Sequence, residues 1–136
     1  LKLLEGVVDI YMPDFKYGEA ETGRRLSGVA DYPERAREAV AEMHRQVGDL
    51  RLDERGVAVR GLLVRHLVLP ERLAGTREVM RFLASLSPDT FVNVMGQYYP
   101  AYRAREHHAM GRRPTPAEVD EAVALARGEG LRRVMR

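Results

Sequence analysis

An α/β fold with a small parallel sheet of three or four strands, covering helices and one inserted hairpin is predicted by three features of the sequence. Leu62 to Leu69 is almost continuously apolar, interrupted only by Arg65 and His66, the pattern of a parallel strand covered on both faces. Flanking segments carry apolar residues at spacings of three and four, the period of helices that bury one face. Strand-like and helix-like stretches alternate, with lengths that suit right-handed βαβ crossovers.

In order, Val7 to Met12 is a short β-branched and apolar run that Pro13 ends before the charged stretch Asp14-Phe15-Lys16. Gly18 to Ser27 forms a short helix closed by Gly28, and Pro33 to Val47 a longer one ended by Gly48, with Ala36, Ala39, Val40, Met43 and Val47 on its buried face. Leu50 to Val59 reads as a hairpin around Asp53-Glu54-Arg55-Gly56, with Gly56 supplying a positive φ. After the Leu62 strand, Thr76 to Leu86 is helical through Val79, Phe82, Leu83 and Leu86, and Pro88-Asp89 turns into a third strand, Thr90 to Gln97. Tyr98 to Pro114 is irregular and rich in Arg, His and Tyr. Thr115-Pro116-Ala117-Glu118 then starts a last helix with a capping box, running to about Gly128, and Leu131 to Met135 is a final short strand.

The 136 residues, 45% hydrophobic and 31% charged, fit a single domain over residues 1–136 without internal boundary. Twenty-two cationic against 20 acidic side chains leave a net charge of +2, too small for a basic face directed at nucleic acid. The absence of cysteine excludes disulfides, a thiolate nucleophile and thiolate metal ligands from this chain. No apolar run approaches the ~18 residues of a membrane span. Leu1 begins without a charged leader region or cleavage pattern, so the expectation is a cytoplasmic protein lacking its natural start. In so small a sheet the Val7 strand is an apolar edge, a site for homo-oligomerisation.

In parallel α/β architectures ligands bind at the carboxyl ends of the strands. Asp14 and Lys16 stand there on a common face of the first strand, Arg65 lies within the second, and Asn93 and Gln97 share parity on the third. An Arg inside an aliphatic strand needs an anion. Arg65 and Lys16 can together hold a carboxylate while Asp14 accepts from hydroxyl or ammonium groups, a set suited to an amino-acid-like or nucleoside-like ligand. The plain structural reading of the same residues is a solvated Asp14–Lys16 pair and a snorkelling Arg65.

Several linked segments carry a resemblance: Asp9-Ile10-Tyr11-Met12-Pro13-Asp14-Phe15-Lys16-Tyr17, Glu42-Met43-His44-Arg45-Gln46-Val47-Gly48, Gly61 through Pro70 with Ala74-Gly75-Thr76, and Val92-Asn93-Val94-Met95-Gly96-Gln97-Tyr98. In this order they resemble the carboxyl-terminal half of radical S-adenosylmethionine proteins related to the pyruvate formate-lyase activating enzyme. The resemblance implies a partial (β/α) barrel of six strands, of which this chain holds the last three. It implies that Asp14 and Lys16 help hold the ribose and methionine part of S-adenosylmethionine, and that Arg65 lies near the methionine carboxylate. The adenine contact falls at Gln97 and Tyr98, where the activating enzymes commonly have a His. The CxxxCxxC loop that ligates a [4Fe–4S] cluster in those enzymes would lie upstream of Leu1, so this chain alone would be inactive and would need an amino-terminal half. The intact relative would remove a hydrogen atom, for instance from a glycine of a partner enzyme. The rival expectation is a non-catalytic α/β interaction module that assembles through its exposed edge strand.

Other candidates have simpler readings. His107 and His108 beside Glu106 lack a spaced third ligand and read as solvated loop. His66 and His44 read as hydrogen-bonded core histidines. Tyr98, Tyr99 and Tyr102 read as loop packing, and Arg112-Arg113 and Arg132-Arg133-Arg136 as solvated clusters that can face an acidic partner.

Overall fold

Alternating burial along one long strand organises the molecule, seen in a computed structural model that describes residues 1–136. In β3 (Ala58–Leu67), Leu62, Val64 and His66 are fully buried while Leu63, Arg65 and Leu67 between them are only half-buried. Successive strand residues point to opposite faces, so one face is closed and the other open. The expectation of a strand covered on both faces is corrected here, because helices cover only one.

β3 pairs in parallel with β1 (Ile10–Tyr11) on one side and β4 (Phe91–Met95) on the other, and β4 pairs in parallel with β5 (Val134–Met135). The order β1-β3-β4-β5 never reverses. A chain that steps one way across a sheet with crossovers of one hand leaves every crossover helix on the same face. Accordingly, after the short α1 (Ala20–Ser27), Val40 and Val47 of α2 (Tyr32–Val47), Val79, Met80 and Leu83 of α3 (Thr76–Leu86), and Val119, Ala122 and Ala126 of α4 (Pro116–Gly128) share one core with Leu62, Val64, Val92 and Val94. Full burial of each larger aliphatic in that core stabilises by about 1.5–3 kcal/mol. The expected capping box is present, Thr115 Oγ1 accepting from the Glu118 N–H and Glu118 Oε2 from the Thr115 N–H.

β2 (Arg51–Leu52) runs antiparallel to the start of β3. The hairpin is therefore present, but its second arm and the Leu62 strand are one continuous strand rather than two. Gly61 permits the merger: its φ of +118° is closed to other residues, and an added Cβ would lie 2.4 Å from the Asp49 carbonyl oxygen. Its N–H donates to Asp9 O on one edge while the next, that of Leu62, donates to Gly48 O on the other. The chain thus exchanges an antiparallel partner for parallel ones within two residues.

The first strand is shorter than expected. Residues Lys2–Leu4 form a 3-10 turn, Val7 is exposed, and pairing begins at Ile10. It continues past Pro13 to an isolated bridge between Asp14 and Arg65. The third strand is likewise trimmed to Phe91–Met95, and Tyr102–Glu106 within the irregular segment form a 3-10 turn. β1 lies at the sheet edge with Ile10 and Met12 exposed, as expected. No helix is long and apolar enough to cross a membrane.

Candidate functional site

Strand parity aims Asp14 and Lys16 the same way, and the residues between and after them are the anchors. Phe15 is fully buried and Tyr17 nearly so. Phe15 packs edge-on against Phe82 at 5.9 Å and Tyr32 at 6.4 Å between ring centres, and Tyr17 against Tyr32 at 5.3 Å. With the aromatic residues held in the helix-covered layer, the charged residues face the open side. Backbone pairing fixes the same register: the Arg65 N–H donates to Pro13 O and the Phe15 N–H to Arg65 O, each at 2.9 Å. The Tyr32 hydroxyl completes the clamp, accepting from the Lys16 N–H at 2.8 Å and donating to Asp14 O at 3.3 Å. The sequence marks only a helix start at Pro33, and nothing in its spacing announces the Tyr32 contact.

Directly behind this segment, His66 joins two elements. Its Nδ1–H donates to Phe15 O at 2.7 Å, since a carbonyl can only accept, and the Thr76 hydroxyl then donates to Nε2 at 2.9 Å. Complete burial pushes the imidazole down to about 4, partly opposed by the bond to Phe15 O. His66 is the neutral core histidine expected, and it secures the strand end bearing Asp14 and Lys16 to the first turn of α3. The loops meet closely here: a Cβ on Gly18 would lie 2.3 Å from Gly75 O.

On the open face, Asp14, Lys16, Arg65, Gln97 and Tyr98 line one cleft of about 320 Å³, with Leu67, Met95 and Tyr99. All five predicted site residues are thus brought together. Two details differ from expectation. Arg65 is not buried, its side chain being 37% exposed, and its anion is Asp14 rather than a ligand: Nε lies 2.7 Å and Nη2 2.6 Å from Asp14 Oδ1. Both contacts use the same oxygen. Asp14 Oδ2 accepts no hydrogen bond, and Lys16 Nζ has neither a hydrogen-bond nor an ion-pair partner, leaving a free acceptor lone pair and a cation on residues two apart on the cleft wall. Asn93 stands opposite Arg65 in register but lines the adjoining recess with Met135 and Pro114, away from the cleft lining.

The loops around the cleft are braced by Glu118, which the sequence identified only as a capping residue. Its Oε1 accepts from the Glu71 N–H and Arg112 Nη2, and its Oε2 from Arg112 Nη1 and the Thr115 N–H, all within 2.7–2.8 Å. The Arg112 bonds hold the Glu118 carboxyl well below the usual carboxylate range despite partial burial, and the two backbone N–H groups assist. Glu71 and its neighbour Arg72 have left-handed φ values of 56° and 59°, a conformation costly for non-glycine residues, so Glu118 offsets local strain after β3.

Other expectations need correction. Arg112, Arg132 and Arg136 are exposed as expected but each is paired, Arg112 with Glu118, Arg132 with Asp89 and Arg136 with Asp120, while Arg133 is half-buried and donates to Leu50 O. His44 is not a core residue: it is partly exposed and bonds Asp49 Oδ1 at 3.1 Å, while Ser87 donates to Asp49 Oδ2. The hydroxyl serves the acid rather than the imidazole, so these three residues form a brace and not a nucleophilic triad. His108 is exposed as expected, whereas His107 is half-buried, with Nδ1 enclosed and without a partner.

The chain is similar to an uncharacterized protein of Methanocaldococcus jannaschii, with 35% identity over 127 residues, covering 93% of this chain and 33% of that protein. The chain thus spans about a third of the length of the curated relative it matches. No family model matches the chain, and no solved structure matches it.

Proposed function

We propose that this chain is the carboxyl-terminal half of a radical S-adenosylmethionine protein resembling the pyruvate formate-lyase activating enzyme, and that its cleft forms part of the cofactor pocket. One observation carries the reading: Asp14 and Lys16, the latter without a carboxylate partner, line one cleft at the carboxyl ends of parallel strands, on the face that helices leave open. An unreversed strand order with helices on one face is also the arrangement of a sheet that closes into a (β/α) barrel rather than one wound on both sides. In this reading β1, β3 and β4 are the last three of six barrel strands, and the edge of β1 pairs with the preceding half of the protein.

The donor set suits S-adenosylmethionine. Lys16 takes the methionine carboxylate, and Asp14 Oδ2 accepts from the ammonium or the ribose hydroxyls while Oδ1 keeps Arg65 in place. Gln97 offers a side-chain donor and acceptor for the adenine edge, and Tyr98 an aromatic surface. A volume of about 320 Å³ lies at the low end for small-molecule sites, consistent with a pocket whose other wall comes from elsewhere. The chain has no cysteine, so its residues do not fit the iron–sulfur cluster, whose ligands this reading assigns to the rest of the protein. When bound beside such a reduced cluster, S-adenosylmethionine supplies one-electron chemistry that removes a hydrogen atom from a substrate, which on the family resemblance is a glycyl-radical-type partner protein.

The test is equilibrium dialysis of S-adenosylmethionine against the full-length protein. Lys16→Ala is expected to weaken binding by about tenfold or more, the value of one charge-assisted contact, with circular dichroism unchanged because the side chain is exposed. Unaltered binding in Lys16→Ala would remove the assignment. A second reading is favoured by the exposed Ile10 and Met12 at the β1 edge: an interaction module that assembles through this strand. It expects no S-adenosylmethionine binding and concentration-dependent association.

A further inference from the structure

The rim of the cleft carries more positive charge than a single zwitterion can use. Tyr99, which lines the cleft, holds two guanidiniums: Arg113 lies over its ring with Cζ 4.8 Å from the centroid, and Arg105 Nη2 donates to its hydroxyl at 3.3 Å. Neither has a carboxylate partner, in contrast to Arg103 and Arg112 of the same segment, which pair with Glu106 and Glu118. Lys16 is also unpaired. The only acid in the lining is Asp14, and Arg65 already engages it. The lining itself thus holds two cations and one acid, and the two guanidiniums at Tyr99 stand beside it without a carboxylate partner.

Unpaired cations at the mouth of a cleft draw anions to it, and planar guanidiniums match carboxylates best. Arg105 and Arg113 are exposed, and neither belongs to the cleft lining. They lie out of the cofactor's place and within reach of a second ligand that covers it. The cation–π contact and the phenol bond orient both side chains beforehand, which lowers the ordering cost of binding.

We infer that Arg105 and Arg113 form a docking site for an acidic peptide segment, the substrate of this cleft. Naming the segment a substrate rests on the cofactor reading above; its binding does not. Because the two cations stand on an exposed rim, side by side along one tyrosine, they suit carboxylates spaced along an extended chain.

The experiment is fluorescence anisotropy with labelled hexaglutamate and hexaglutamine peptides on the full-length protein. Hexaglutamate is expected to bind about tenfold or more tightly than hexaglutamine at low salt, and to weaken severalfold as the Debye length falls from about 30 to about 8 Å. The Arg105→Ala/Arg113→Ala protein should lose about fivefold or more, and the Arg105→Lys/Arg113→Lys protein about half or less of that on a logarithmic scale. Arg55→Ala, a change of an unpaired cation in the β2–β3 loop, should behave as wild type. Equal binding of the two peptides, an undiminished alanine double variant, or complete displacement by inorganic phosphate at matched charge would overturn the inference, the last in favour of a free anion. S-adenosylmethionine binding is measured on the same proteins. Its retention with failed peptide binding sinks only the acidic substrate; its absence with intact, arginine-dependent peptide binding sinks only the cofactor reading.

Discussion

Gly61→Ala is expected to destabilise the protein by about 4 kcal/mol or more, or to prevent its folding. Two penalties act together. At φ +118° the position lies outside the regions open to a residue with a Cβ. The added carbon would also meet Asp49 O at 2.4 Å, Leu50 Cα at 2.5 Å and Asp49 C at 2.7 Å. All three are backbone atoms, so no side chain can move aside to relieve the contact. Relief requires the segment leading into β2 to withdraw from β3, which breaks the bond from the Leu62 N–H to Gly48 O and uncovers the strand that carries Arg65. Urea unfolding at neutral pH measures the effect. Gly128→Ala at the end of α4, where an added Cβ meets nothing, provides the contrast and should be neutral or slightly stabilising. If the two substitutions cost the same, β3 does not depend on the Gly61 crossing.

The second large effect concerns His66. In the unfolded chain its imidazole titrates near the ordinary value of 6.5; in the folded protein burial lowers it to about 4. Between those values the unfolded state binds the extra proton and the folded state does not. Stability therefore holds above about pH 6.5 and falls as the pH drops towards 4, by about 3 kcal/mol in total from this group. His66→Ala should remove that pH dependence. It should also cost about 3–5 kcal/mol at neutral pH, by opening a cavity and orphaning Phe15 O and Thr76 Oγ1. Parallel urea titrations of both proteins from pH 7 to pH 4.5 provide the check. An acid slope that survives in the variant would place its origin elsewhere.

The layered α/β order was legible because it rests on short-range regularities: the Val40 and Val79 helix faces, Pro and Gly punctuation, and the Thr115–Glu118 cap. The openness of one sheet face was not, since half-buried Leu63 and Leu67 carry the same side chains as fully buried Leu62 and Val64, and hydrophobicity does not record what covers them. Strand parity and strand-end position brought Asp14, Lys16, Arg65 and Gln97 to one cleft but also named Asn93, which lines the adjoining recess, while Tyr98 came from the family resemblance. The internal Asp14–Arg65 pair was missed because it spans 51 positions and depends on register. Glu118 and Tyr32 were missed as braces for the same reason: their partners lie on separate loops that meet only after the sheet has formed.

The cleft itself offers the most direct reporter of the proposed cofactor. Met95 lines it, Met80 is fully buried on the core face of α3, and Met43 lies on α2. In full-length protein carrying ¹³C-methyl methionine, titration with unlabelled S-adenosylmethionine should move the Met95 methyl resonance saturably and leave Met80 and Met43 in place. A Met95 signal that stays fixed while S-adenosylmethionine binds would contradict the assignment.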